Sequence, residues 1–214
     1  MKIVSVTAYP SYPKGVDWDE SDFYRLNLVR AVKGRPIKNA KTEVRGVLQE
    51  ISEATRADNV GMAVRWLADE YRDRCYSDDV VLVPVPSSKN CLASRPADAP
   101  LRLAVMLSEE LIPSPLIEPV LCWKVPMPSA HNEGGSRNPA VLLPFLTHVG
   151  TLRPGTRCVL VDDMTTSGAR MVACAAKLRQ MRANVLFGLA VGRTVQAPVV
   201  EPFMPVEQDV PDLP

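Results

Sequence analysis

The sequence predicts an α/β domain with a central, mostly parallel sheet flanked by helices, and three observations carry that expectation. Val80-Val-Leu-Val-Pro-Val85 is an unbroken apolar run, as expected of a strand covered on both faces. Val60, Ala63, Val64, Leu67, Ala68 and Tyr71 fall on one stripe of a helix over 58–72, with Asp58 placed to cap it. Residues 157–161 (strand), 162–167 (loop), 168–181 (helix) and 184–191 (strand) form a strand–loop–helix–strand unit, the pattern of a right-handed parallel crossover.

The other elements follow by the same rules. Residues 2–9 alternate as a strand, and the acidic turn at 17–22 leads into a short helix over 23–32. After the breaker Gly34-Arg-Pro, residues 41–55 predict a helix with Val44, Val47, Leu48 and Ile51 on one face. A helix near 99–112 buries Leu103, Ala104, Leu107 and Leu111, and 117–123 reads as a strand. Residues 124–140 carry Pro126, Pro128, Asn132, Gly134, Gly135, Asn138 and Pro139, and read as a long mobile loop. The expected organisation is one domain over 1–197, with a small hood drawn partly from 1–57, and a Pro-rich acidic tail over 198–214. That tail is expected to be an extension, or an arm for a protein partner.

Composition narrows the function classes. A net charge of +1 supplies no global field for nucleic acid or an anionic membrane. No apolar run reaches the roughly 18 residues a spanning helix needs, and the N-terminus reads as a strand without the apolar segment of a signal peptide. Cys75, Cys91, Cys122, Cys158 and Cys174 are odd in number and never spaced CxxC, which suits buried free thiols in a reducing cytoplasm. His131 and His148 lack ligand-like neighbours, so a zinc site is not expected. Trp18, Trp66 and Trp123 are assigned to packing.

The chemistry concentrates in Asp162-Asp163-Met-Thr165-Thr166-Ser167-Gly168. A turn at the carboxyl end of a buried strand, opening a helix, is where open α/β sheets bind ligands. Unpaired amides and the positive end of the helix dipole favour an anion there. Thr165, Thr166 and Ser167 add donors, and Gly168 lets an anion approach the backbone. Two adjacent carboxylates would repel a phosphate, but they suit the donating hydroxyls of a ribose diol, or Mg²⁺ reached directly or through water. A phosphate cup beside a diol reader describes a ribose 5-phosphate. A plainer reading is a capped helix after a strand, yet a cap uses one acid or one hydroxyl, not this whole set. A P-loop fails because 34–42 has the wrong spacing and lacks the second glycine. A receiver domain fails because its paired acids follow its first strand.

Residues 159–171 resemble the phosphoribosyl-pyrophosphate (PRPP) motif of type I phosphoribosyltransferases. Val83-Pro-Val-Pro-Ser-Ser-Lys89, together with the order of parts over roughly 23–194, resembles the ComF-like subgroup, here without its N-terminal zinc module. The resemblance implies a type I phosphoribosyltransferase-like fold. It implies that Asp162 and Asp163 hold the ribose hydroxyls and Mg²⁺ (through water), and that Thr165, Thr166, Ser167, Gly168, Ala169 and Arg170 wrap the 5-phosphate. Ser87, Ser88 and Lys89 would cradle the pyrophosphate. The implied reaction transfers the phosphoribosyl group to a nitrogen acceptor and releases pyrophosphate, and a homodimer is the implied assembly. Arg170 stands where the family has Thr or Ser, so a second expectation stays open: a PRPP- or nucleotide-sensing module that binds without turnover and acts on a partner. His131 and Glu133 are further candidates for catalysis, and Arg193 for shaping the acceptor pocket; each also reads as a solvated or structural charge.

Overall fold

The computed structural model describes residues 1–38, 40–75, 79–128 and 135–213. Its centre is a six-stranded sheet. Strands β1 (Lys2–Pro10), β4 (Val80–Pro84), β5 (Leu116–Ile117), β8 (Arg157–Thr165), β9 (Asn184–Val195) and β10 (Val206–Asp209) stand in the order β10-β1-β9-β8-β4-β5. Every pairing is parallel except that of the edge strand β10 with β1. Parallel strands need crossover helices, and helices cover both faces. Helices α1 (Glu20–Val32), α2 (Arg56–Arg74) and α3 (Ala99–Glu110) pack on one face, where Leu28, Leu67 and Leu103 meet Val159 and Val161 of β8. Helix α5 (Ala169–Gln180) covers the other, where Met171, Val172 and Leu178 meet Cys158 and Leu160. Neighbouring side chains of β8 thus leave on opposite faces, which explains its unbroken apolar run.

The helical stripes over 58–72 and 99–112 fold as expected: Ala63, Leu67, Ala68, Leu103, Ala104 and Leu107 are all buried. Asp58, however, lies within the first turn of α2; Thr55 is the N-cap and makes no side-chain cap bond. The helix expected over 41–55 is a hairpin of β2 (Ala40–Val44) and β3 (Val47–Ile51). Arg45 and Gly46 at its tip have φ of 54° and 76°, the positive pair that a two-residue hairpin turn requires. Thr42, Val44 and Ile51 are buried whereas Val47 and Leu48 stay exposed, so the apolar residues serve two strands instead of one helical face. Arg45 ion-pairs with Asp69 and lies 5.7 Å from the Trp66 ring centroid, tying the tip to α2. The hairpin lies on α1 through Asn27 Nδ2 to the Lys41 carbonyl (2.8 Å) and Thr42 Oγ1 to the Tyr24 carbonyl (2.9 Å), with Ala31, Ile37 and Ile51 beneath.

The strand expected over 117–123 is two strands, β5 and β6 (Leu121–Trp123), separated by Glu118-Pro119-Val120. Strand β6 pairs with β7 (Leu146–His148), which follows the short helix α4 (Pro139–Leu142). Part of the loop expected over 124–140 is therefore helical, and its residues 129–134 lie outside the described residues. All five cysteines are buried, and none forms a disulfide.

The segment expected as an extended tail is instead built into the sheet. Lys2↔Asp209 to Ser5↔Val206 sets the β1–β10 register, and Phe203 and Val210 are buried, one in each core. Pro202 accepts from the Ala8 amide at 2.8 Å, and Asp212 ion-pairs with Arg179 at 2.7 Å. The prolines do not prevent this, because β10 is an edge strand with a partner on one side only.

Candidate functional site

Register brings the functional segments level with one another. Pro84 of β4 pairs with Val161 of β8, and the Val85 amide donates to the Val161 carbonyl at 2.8 Å. The turns leaving both strands therefore emerge together. On the other side, Thr165 pairs with Arg193 of β9, and Thr194 pairs with Tyr9 of β1. The carboxyl ends of four parallel strands thus open into one cavity of about 460 Å³. Asp162, Asp163, Thr165, Thr166, Ser167, Gly168, Ala169, Arg170, Ser87, Ser88 and Lys89 all line it.

The two carboxylates sit within β8, which runs to Thr165, and not in the loop the sequence suggested. Asp162 is buried, and its Oδ1 accepts the Asp163 amide at 2.8 Å. Burial first, and then the Asp163 charge, push the Asp162 carboxyl well above the ordinary carboxylate range, while Arg170 pulls it back. The Cys174 thiol on α5 is likewise pushed up, by burial first and by Asp162 second. Asp163 keeps 18% of its side chain exposed and sits 3.9 Å from Lys33 Nζ, at the end of α1.

Gly168 opens α5 with φ of 74°. A Cβ there would come within 2.7 Å of Ile3 Cδ1 and 3.0 Å of Val210 Cγ1, so the glycine is required by packing as well as by backbone shape. Helices α1 and α3 are closed by the aspartate caps Asp19 and Asp98, whereas α5 has no side-chain cap, so its first amides are open to an incoming anion. Thr166 and Ser167 are exposed beside them, and Thr166 shares a 3.0 Å hydroxyl contact with Thr194.

The turn after β4 is held from two sides. Asp98 Oδ2 accepts the Ser87 amide (3.0 Å) and Asn90 Nδ2 (3.2 Å), while Asp98 Oδ1 caps α3 at the Leu101 amide. The fully buried Trp123 donates its indole N–H to the Pro86 carbonyl at 3.2 Å and its amide to the Asn90 carbonyl at 2.9 Å. Ser87 and Ser88 are half-buried and Lys89 is exposed, so a held backbone presents their donors to the cavity.

Sequence reasoning missed Tyr9, Ser11, Lys33, Arg35, Ser136, Arg137 and Thr194 among the lining residues. Tyr9, Ser11 and Thr194 were foreseeable once β1 and β9 were placed as parallel neighbours, because their ends must then reach the same edge. Arg193 is absent from the lining, and its Nε is buried without a partner. His131 and Glu133 lie outside the described residues. Among the described residues, five lining cations (Lys33, Arg35, Lys89, Arg137, Arg170) face two carboxylates.

No family model and no curated protein matches the chain. Among solved structures it is similar to a purine phosphoribosyltransferase from Pyrococcus horikoshii Ot3, at 19% identity and a TM-score of 0.37, over 66% of this chain and 93% of that one. It is also similar to a hypothetical protein from Neisseria gonorrhoeae with bound ppGpp, at 15% identity and a TM-score of 0.41, over 66% and 71% of the two chains. Adenine phosphoribosyltransferase from Saccharomyces cerevisiae gives 16% identity and a TM-score of 0.39, over 78% and 89%. Likenesses of this size leave the chemistry to be read from the cavity itself.

Proposed function

We propose that this cavity binds PRPP and transfers its phosphoribosyl group to a nitrogen acceptor with release of pyrophosphate. The observation that carries the reading is one cavity holding an uncapped helix start, hydroxyls, two carboxylates and a second, rigid hydroxyl-and-lysine turn. The 5-phosphate would accept from the α5 amides, Thr165, Thr166 and Ser167, with Arg170 adding charge-assisted donors. The ribose hydroxyls would donate to Asp163 and to Asp162. The diphosphate would face Ser87, Ser88 and Lys89.

The reaction forms a bond from the acceptor nitrogen lone pair to C1 of the ribose. The C1–O bond breaks, its electron pair leaves on pyrophosphate, and the acceptor N–H proton passes to solvent. The protein's part is positioning and charge stabilisation. Mg²⁺ fits the donor set as an ion carried by the ligand. Among the described residues there is no group of three His, Cys, Asp or Glu to cage a metal, and magnesium commonly takes one or two carboxylates plus phosphates and water. Asp162 and Asp163 would hold it through water, and it would supply neutralisation of the leaving pyrophosphate. The Val-Pro-Val-Pro-Ser-Ser-Lys segment favours the ComF-like subgroup within this reading.

A second reading, a PRPP- or nucleotide-sensing module without turnover, is favoured by Arg170. Its charge acts on the buried Asp162, where the family's motif has a hydroxyl residue. Calorimetric titration of PRPP with Mg²⁺, followed by a pyrophosphate-release assay across a panel of nitrogen bases, separates the two. Saturable binding with release supports the transferase, and binding with no release for any acceptor supports the sensor. Absence of saturable binding of PRPP or any nucleotide refutes both.

A further inference from the structure

Lys33 and Arg35 receive no site role from the sequence, yet both line the cavity. They occupy the turn after α1, and that turn is fixed by a clamp. Arg56 donates to the carbonyls of Ala31 (3.0 Å) and Arg35 (2.7 Å) and pairs with Glu53 at 2.7 Å. Glu53 also accepts the Ile37 amide at 2.7 Å. The turn therefore presents its two cations from a held backbone.

The direction they face follows from their neighbours. Lys33 Nζ stands 3.9 Å from Asp163. A Cβ on Gly34 would be 3.4 Å from the Arg102 guanidinium, whose Nη1 bonds the Ala97 carbonyl at 2.6 Å, next to the Asp98 that pins Ser87. The 33–35 turn and the Ser87–Lys89 turn thus both adjoin the start of α3, whose Pro100 also lines the cavity. Arg170, in the first turn of α5, acts instead on Asp162 by its charge.

We infer that Lys33 and Arg35 form, with Lys89, a two-sided cationic grip for a diphosphate group, and that Arg56 and Glu53 are its positioning residues. The cavity then has two anion poles separated by the diol-reading aspartates: a monophosphate pole at α5 and a diphosphate pole between α1 and β4. This rests on the ribose-phosphate reading above and extends it to residues on a separate element. Three cations at one pole match the charge of a diphosphate, and they favour its departure more than they favour an uncharged leaving group.

The test uses the full chain with Mg²⁺ and two probes, inorganic pyrophosphate and ribose 5-phosphate, titrated calorimetrically. Arg35→Gln alters an exposed side chain, and Lys33→Gln a half-buried one that belongs to none of the hydrophobic clusters. Each is expected to weaken pyrophosphate binding about 3–5-fold, a partly solvated charge contact, and Arg35→Gln, which is not paired with a diol-reading aspartate, to leave ribose 5-phosphate within about 2-fold. Arg56→Gln is expected to weaken pyrophosphate selectively as well, a split that loss of general stability would not produce. If Arg56→Gln does not fold, the Arg35 variant still decides. Unchanged pyrophosphate affinity in both cation variants overturns the grip while leaving the ribose-phosphate site intact. An equal fall for both probes also overturns it, because the turn would then shape the whole cavity. Binding of neither probe by the unaltered chain refutes the grip and the site together.

Discussion

Replacing Asp162 by asparagine keeps the shape of a buried side chain and removes its ability to ionise, so it separates what this residue does for folding from what it does for ligand. Asn Oδ1 can still accept the Asp163 amide, now 2.8 Å from Asp162. In the folded chain the carboxyl is held well above its ordinary value by burial and by Asp163. With the folded value raised, the folded state binds the proton more tightly than the unfolded state. Stability from this group is therefore complete below the unfolded pKa of about 3.9 and falls as pH rises toward the folded value, after which the deficit is constant. Each pH unit of elevation amounts to ~1.4 kcal/mol. The variant escapes that deficit, less what Arg170 loses as a neighbour. Its Tm should exceed that of the unaltered chain at pH 8, by about 2–4 °C for each kcal/mol recovered, and the gap should shrink as pH falls toward 4. Ligand affinity should move oppositely. A charged hydrogen bond to a ribose hydroxyl is worth roughly 1.5–3 kcal/mol, so ribose 5-phosphate should bind about 10–150-fold more weakly. Differential scanning fluorimetry from pH 4 to 8 and calorimetry at pH 8 read both effects. A Tm gap that is negative, or independent of pH, would refute the account of Asp162 as a carboxyl held at a folding cost for its ligand.

Two further perturbations test the frame around the site. Ending the chain at Ala197 removes β10 and the buried Phe203 and Val210. At roughly 1.5–3 kcal/mol per buried side chain, about 3–6 kcal/mol of stability should go, and a Tm within 2 °C of the full chain's would show the segment to be a dispensable extension. Asp98→Ala releases the Ser87 amide, Asn90 and the α3 cap at once. About 1–2 kcal/mol of stability should be lost, with pyrophosphate affinity falling about 10-fold and ribose 5-phosphate affinity unchanged; equal losses for both probes would contradict a local role for the turn.

The parallel core was legible because its strands are covered on both faces and so read as continuous apolar runs, and because the buried stripes of α2 and α3 keep a helical period. The hairpin at 40–51 was not. Val44, Val47, Leu48 and Ile51 satisfy a helical spacing, and the deciding feature is backbone shape at Arg45 and Gly46, which a residue count does not express. The β10 edge was also hidden. Its partner β1 lies about two hundred residues away in the chain, and a proline-rich, acidic segment acquires a reason to order only once Lys2, Arg179 and the exposed edge of β1 are beside it.

The same distinction explains which half of the site could be read. The cup at 162–170 is local: strand end, turn and helix start follow one another, so its chemistry survives in a short motif. The proposed diphosphate pole would draw on the end of α1, the turn after β4 and the first turn of α3, segments far apart in the chain and held by the Arg56–Glu53 and Asp98 clamps. Lys33 and Arg35 therefore look like ordinary charges in the sequence, and they become functional candidates only because the turn after α1 reaches the cavity at the carboxyl ends of the parallel strands.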